Sequence, residues 1–335
     1  MTTFAESNTS SLARFANPFF LAGFATGIAE TAFDVAGTAL STARALRPTQ
    51  IPEGAVVLVT GGSRGLGLAI ANRFAHNNIR LVLAARDLSE LQSAQQQILA
   101  QQSHRRPEDF HLVAADLTNP ADCRRLIDET FARFGRLDIL IHNAGVIEVG
   151  PAELQPTEAF ERAMQLHLFA AIHTTWAALP RLYQQEPLPG WRRRAAIVNI
   201  ASIGGKIAVP HLLPYTASKF ALVGFSEGLH AELRRHKIRV TTVCPGLMRT
   251  GGEEHAQFLG DQKAEALWFK LCAKTPGIAT TPEHAADRIY RAVLHGCSEI
   301  TITPQAWLAA RFAGLCPNTT QLLNAFVNDY ILPRA

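Results

Sequence analysis

Residues Ala55 to Gly67 read AVVLVTGGSRGLG. The first six are apolar or β-branched without interruption, as expected of a strand buried on both faces of a parallel sheet. The glycine-rich turn that follows runs straight into an apolar helical pattern. A helix that begins there directs its unpaired N–H groups and the positive end of its dipole at the turn. Glycines let the backbone bend sharply and let a pyrophosphate approach with no Cβ in the way. The stretch therefore predicts a strand, a phosphate-binding turn and a helix, the opening unit of a dinucleotide-binding sheet.

Working outward, the same alternation continues. Strands are predicted at Leu81 to Ala85, Phe110 to Ala114, Leu137 to His142, Ala195 to Ile200, Arg239 to Val243 and, last, Glu299 to Thr303. Helices are expected at Leu66 to Asn77, Ser89 to Gln102, Ala121 to Phe134, Thr157 to Tyr183 and Ser218 to Arg235. This order argues for an α/β fold: a Rossmann-type doubly wound parallel sheet in three layers, α/β/α. The stretch from Gly251 to Pro276 is expected to be irregular.

The second strand bears on the cofactor. An NAD site commonly carries an acid at the end of this strand, and an NADP site an arginine. Here Arg86 follows Ala84-Ala85, and Arg64 lies inside the glycine turn. Two guanidiniums can clamp a 2′-phosphate with charge-assisted bonds, so NADP(H) is favoured over NAD(H). Asp87 is the counter-argument, because it could turn toward the ribose instead.

The chemistry-bearing residues lie later. Tyr215 and Lys219, in YTASK, are one helical turn apart and share a face. A phenol titrates near 10, and a neighbouring ammonium is expected to lower that value. Ser202 follows the fifth strand, at the carboxyl edge where ligands bind in such sheets. Its hydroxyl is placed to hold a carbonyl oxygen that the tyrosine protonates.

Together these segments resemble the short-chain dehydrogenase/reductase family, in its short single-domain branch, over Ala55 to Thr303. TGGSRGLG resembles the TGxxxGxG cofactor turn, which implies Thr60, Gly61, Ser63, Arg64, Gly65, Leu66 and Gly67 as cofactor-binding residues. Asp116-Leu117 resembles the acidic pair that holds adenine. Asn143-Ala144-Gly145 resembles the NNAG motif, with His142 in place of its first Asn. Pro245-Gly246, with Thr250 downstream, resembles the PG motif beside the nicotinamide. The resemblance implies hydride transfer between a nicotinamide and a carbonyl or alcohol carbon. It implies Tyr215 as the acid/base, Lys219 as ribose ligand and tuner of the phenol, and Ser202 as the group orienting the substrate oxygen. One position departs: His167 stands where the family has the Asn of a proton relay, and a neutral imidazole can also carry a proton or hold water.

The remaining features are less specific. The chain has 335 residues, is 47% hydrophobic and carries a net charge of +4. That balance excludes a disordered chain, and the dispersed basic residues argue against a nucleic-acid partner. Five cysteines, far apart and outside CxxC pairs, suggest a reducing, cytoplasmic setting without a disulfide framework or metal site. Residues 1–50 read as an amphipathic helical extension around FANPFFLAGFATGIA (Phe15 to Ala29), which is too short to span a bilayer. It is expected to pack on the protein or to touch a membrane surface. Residues 51–303 form the catalytic domain and 304–335 a C-terminal helical extension. Ala217, Ala221, Gly224 and Gly228 make a small-residue stripe suited to a homo-oligomer contact. Leu212, Leu213, Leu247, Met248, Phe258, Leu267, Trp268 and Phe269 suggest an apolar lid over an apolar, lipid-like substrate. His211, on the loop before Tyr215, is placed to face either the substrate or solvent, and solvent is the commoner outcome for a loop histidine. A competing expectation is a cofactor-binding scaffold or sensor without turnover, while an epimerase or dehydratase is disfavoured by the Gly61-Gly65-Gly67 spacing.

Overall fold

The computed structural model describes residues 50–249, 251, 256–274 and 279–333. The N-terminal helix expected over 1–50 and the candidate ligand Thr250 lie outside the described residues.

Seven strands form one parallel sheet: β1 (Val56–Thr60), β2 (Arg80–Ala85), β3 (Phe110–Ala114), β4 (Ile139–His142), β6 (Ala195–Ile200), β7 (Ile238–Cys244) and β9 (Glu299–Thr301). Their order is β3-β2-β1-β4-β6-β7-β9. It reverses between β1 and β4, and ligands bind outside the carboxyl ends of the strands at such a switch point. A separate two-stranded ladder pairs β5 (Glu148–Val149) with β8 (Gln257–Phe258).

Side-chain alternation explains the three layers. Val57 and Val59 of β1 enter one core with Ile70, Phe74, Ile98 and Ile289. Those come from α1 (Gly65–Ala75), α2 (Leu88–Gln101) and a later helix, Pro282–His295. Val56 and Leu58 enter the other core with Leu126, Ile127, Leu182 and Leu229. Each such side chain, fully buried, contributes about 1.5–3 kcal/mol relative to exposure. The second layer holds α3 (Pro120–Phe134), α4 (Thr157–Met164), α5 (Ala170–Gln184) and α6 (Leu213–Leu233).

Three expectations need revision. The long helix predicted over Thr157 to Tyr183 is broken by a π-helical turn, Gln165–Phe169, that carries His167. Helix α6 begins at Leu213 rather than Ser218, because Pro214 sits in its first turn, where a missing N–H costs nothing. The stretch expected to be irregular contains β8 and helix α7 (Gln262–Lys274). Beyond it lie α8 (Pro282–His295), α9 (Pro304–Leu315) and α10 (Pro317–Tyr330). No described helix is long and apolar enough to cross a membrane.

Candidate active site

The glycine turn closes β1 onto α1. Gly61 and Gly65 have φ of +62° and +54°, the left-handed region that favours glycine. A Cβ on Gly61 would stand 2.9 Å from the Ala144 Cα, and one on Gly67 would overlap the Gly61 carbonyl. The turn is also riveted to the end of β4. The Asn143 and Ala144 amides donate to Thr60 Oγ1 (2.9 and 3.2 Å), and Asn143 Nδ2 donates to the Thr60 and Gly61 carbonyls (3.0 and 3.1 Å). Thr60 and Asn143 thus hold the turn's shape. Helix α1 has no side-chain cap at Arg64 and no acid in its first turn, so its positive end is left for an anion. A pyrophosphate fits this cradle on both counts.

At the end of β2 the competing readings of Asp87 separate. Its carboxylate accepts from the Ser89 amide (2.7 Å) and the Glu90 amide (3.3 Å), capping α2. The Ser89 hydroxyl, which donates to the same oxygen at 2.7 Å, and then these two amides hold it below the usual carboxylate range. Arg86 beside it is exposed. Arg64 pairs with Glu90 Oε1 at 3.0 Å, and Ser63 donates to Glu90 Oε2 at 2.9 Å. Glu90 escaped the sequence analysis; nothing in its helical surroundings marks it. Asp116 is exposed, and one of its oxygens takes the Thr118 amide and hydroxyl (3.0 and 2.8 Å), while Leu117 is buried.

The chemistry-bearing groups converge at the carboxyl ends of β6 and β7. Ser202 Oγ accepts from the Gly204 amide (3.0 Å) at the start of a short helical turn. The Ile203 amide donates to the Pro245 carbonyl (2.7 Å), which joins the serine loop to the Pro245-Gly246 turn after β7. Helix α6 presents Tyr215 and Lys219 together, with the Lys219 ammonium 5.6 Å from the phenol ring centroid. Lys219 Nζ donates to the Ile200 carbonyl (2.8 Å). Burial lowers the Lys219 pKa to about 7.

The phenol departs from expectation. Burial raises the Tyr215 pKa, and the opposing pull is a hydrogen bond with Ser202 rather than the ammonium. Without cofactor, desolvation of the phenolate outweighs any help from a lysine that is itself poorly charged.

His167 is buried against Tyr215, edge to face, with ring centroids 5.5 Å apart. Its Nε2 accepts from the Val146 amide (3.0 Å), and its Nδ1 meets Ser218 Oγ (2.7 Å). Ser218 in turn donates to the Tyr215 carbonyl (2.8 Å), so Nδ1 carries the hydrogen. Burial and the nearby Lys219 hold the imidazole neutral, well below its ordinary pKa. Both ring nitrogens are engaged by protein groups, so the imidazole itself has no free nitrogen with which to hold water. The third residue of the interval between Tyr215 and Lys219 was the available signal: a serine on the buried face of a helix wants a partner.

His142, the other departure from the family pattern, is also buried. It bridges Asn199 Oδ1 and Thr174 Oγ1, both at 2.7 Å, and its pKa falls to about 4 through burial. It ties β4 to β6 and α5 from inside. His211 is not solvated: it pairs with Glu265 on α7.

A family model described as short chain dehydrogenase matches residues 55–257. A Dehydrogenase/reductase SDR family protein 7-like from Anopheles gambiae is 30% identical over 257 residues, 77% of each chain. A short chain dehydrogenase/reductase from Burkholderia phymatum, solved in complex with NAD, has a TM-score of 0.70 and 23% identity over 84% of this chain and 98% of its own. At that identity the likeness concerns the fold alone. A metagenomic short-chain oxidoreductase, solved in complex with NADP, has a TM-score of 0.58 and 28% identity over 75% of this chain and 98% of its own.

Proposed function

The chain belongs to the short-chain dehydrogenase family, and on that premise we propose that it is an NADPH-dependent reductase of carbonyl compounds. One observation carries the reading: Ser202, Tyr215 and Lys219 converge at the carboxyl edge of the same parallel sheet whose switch point carries an uncapped helix N-terminus. Bound NADPH supplies the hydride. Ser202 orients the carbonyl oxygen, and Tyr215 gives it a proton as the alkoxide develops. A phenol raised by burial keeps its proton at neutral pH and has it available for a carbonyl oxygen. Lys219 would hold the nicotinamide ribose. His167 acts through Tyr215, bracing the helix start from the Val146 turn.

NADPH is favoured over NADH because Asp87 is occupied as a helix cap and Arg86 stands exposed just beyond the end of β2. The segment after the Pro245-Gly246 turn is apolar, with Phe258 and Trp268 flanking Phe269 at 6.0 and 6.4 Å between ring centroids. That supports a small carbonyl or alcohol with an apolar, lipid-like body as substrate. The small-residue stripe of α6 supports self-association: a Cβ on Gly224 or Gly228 would meet nothing within 4 Å, so that face is open in the monomer.

The test is reduction of a panel of ketones and aldehydes with NADPH and with NADH. Substrate-dependent NADPH consumption, lost in Tyr215→Phe with cofactor binding kept, supports the reading. Tight cofactor binding without turnover on any carbonyl would favour a sensor or scaffold.

A further inference from the structure

The loop that leads into Tyr215 contains a second buried cluster that the proposed chemistry does not use. His211, four residues ahead of the tyrosine, adopts φ +62°. Among non-glycine residues that region is uncommon, and it persists where the surroundings determine it. Here they do so on two sides. The His211 carbonyl accepts from the Gly150 amide and from Gln155 Nε2, both at 2.9 Å. Its ring Nδ1 meets Glu265 Oε1 at 2.6 Å, with the two side chains 6% and 1% exposed.

Glu265 belongs to α7, the helix that follows β8. Strand β8 lies against β5: the Gln257 amide donates to the Ile147 carbonyl (3.0 Å) and the Leu259 amide to the Val149 carbonyl (2.9 Å). Gly150 has no room for a Cβ, which would come within 2.7 Å of Leu259 Cβ. Residues 256–271, the roof, are therefore fastened to the segment after Asn143-Ala144-Gly145 and to the loop that leads into Tyr215. They follow the Pro245-Gly246 turn in the chain, lie on the segment just after Asn143-Ala144-Gly145, and carry the aromatic cluster of Phe258, Trp268 and Phe269. The ladder fastens one end of the roof, and the His211–Glu265 pair fastens the other to the loop that enters α6.

Burial pushes the Glu265 carboxyl above its ordinary pKa, with Asp261 adding to the shift and His211 opposing it. Its Oε2 has no hydrogen-bond partner among the described residues. A buried carboxylate with one oxygen unmet is unfavourable unless the surviving bond is strong and the site is fixed by other contacts. A leucine there would satisfy packing alone, so the acid is kept for the bond it makes.

We infer that His211 and Glu265 form a latch: a pair of positioning residues that hold the roof of the substrate site against the loop carrying Tyr215, and so set how tightly an apolar carbonyl substrate is enclosed. The inference rests on the proposed reductase reading for its link to substrate, and on geometry alone for the latch itself. Opening the roof breaks one buried bond and leaves the cofactor cradle at β1 and β4 untouched.

The experiment compares Glu265→Leu, His211→Gly and Glu265→Gln in the full chain. Glycine preserves the left-handed backbone, and glutamine keeps an acceptor for the Nδ1 hydrogen. Amide hydrogen exchange over 256–271 is read with NADPH bound, and steady-state kinetics with the best ketone from the panel. Glu265→Leu and His211→Gly are expected to speed exchange in the roof about tenfold and to raise KM for the ketone by about as much, with a smaller change in kcat. Cofactor affinity and exchange in β1 and β4 stay at parental values, and Glu265→Gln stays close to the parent. Unchanged roof exchange in both cutting variants overturns the latch, as does a Glu265→Gln variant as impaired as Glu265→Leu. Exchange that quickens equally in β1 and β4 also overturns it, because the pair is then a general stabiliser. A parent that reduces no carbonyl defeats the reductase reading but leaves the exchange result to decide the latch.

Discussion

At the Gly61–Gly67 turn the geometry is made by backbone: positive φ, absent Cβ atoms and main-chain carbonyls gripped by Asn143. At the roof and the Tyr215 loop it is made by side chains that meet from far apart in sequence, His211 with Glu265 and His167 with Ser218 and Val146. The cofactor edge has few ways to be built, because a pyrophosphate is always the same shape. The substrate edge has many, because apolar side chains of similar volume exchange easily. Mutations should therefore act sharply and locally at the first edge, and more gradually at the second.

The sharpest break is expected at the reacting group. Tyr215→Phe removes the proton donor without altering the ring that packs on His167, and turnover should fall by about 10²–10⁴. Cofactor affinity, measured by calorimetry, should stay parental. A variant reducing ketones at the parental rate would remove Tyr215 from the chemistry. Next comes the cradle. Gly67→Ala forces its Cβ into the Gly61 carbonyl, a backbone atom that cannot swing aside. NADPH affinity should drop by about a hundredfold or more, roughly 3 kcal/mol. Gly224→Ala, with open space around it in the monomer, is the control for the cradle: NADPH affinity should stay parental, while alanine in mid-helix should raise the melting temperature slightly.

Much of this was legible in the primary structure, for a physical reason. AVVLVT alternates two faces into two cores, and a glycine pattern imposed by φ and by Cβ overlap can be read without knowing what lies across the sheet. Ser202, Tyr215 and Lys219 were legible because their spacing follows helix and strand periodicity. The unread part consists of partners without periodicity. Nothing near residue 90 announces that Glu90 reaches Ser63 and Arg64, and His211 among apolar loop neighbours gives no sign of the acid 54 positions later. The tuning of the phenol was misjudged for a related reason. The lysine one turn away is visible in sequence, but the burial that discharges it is not.

A smaller effect sharpens the electrostatic side of the contrast. The Lys219 ammonium is held near 7 in the fold against 10.5 when free, so between those values the unfolded chain binds more protons. Stability of the cofactor-free protein should then rise as pH goes from about 7 toward 10. In Lys219→Met this rise should flatten, and the variant should melt higher than the parent at neutral pH. Equal pH profiles for the two proteins would mean that Lys219 is solvated.

The smallest expected effect returns to the cofactor edge and separates its two candidate readers. If Asp87 only caps α2, Asp87→Ala should lower the melting temperature slightly at neutral pH and leave the ratio of NADPH to NADH affinity unchanged. Its carboxyl is held below the ordinary value of 3.8, so the stabilisation is present above that pH and disappears as pH falls through the depressed folded value. Parent and variant should therefore converge in melting temperature in strong acid. Arg86→Ala should do the reverse: little change in melting temperature, and an NADPH affinity lower by about tenfold with NADH affinity kept. Were Asp87 the ribose ligand instead, its removal would weaken NADH more than NADPH, and the preference assigned to Arg86 and Arg64 would have to be withdrawn. The capping geometry argues against that outcome, since a carboxylate that accepts two amides of its own helix is turned along the chain and is poorly placed to take ribose hydroxyls as well.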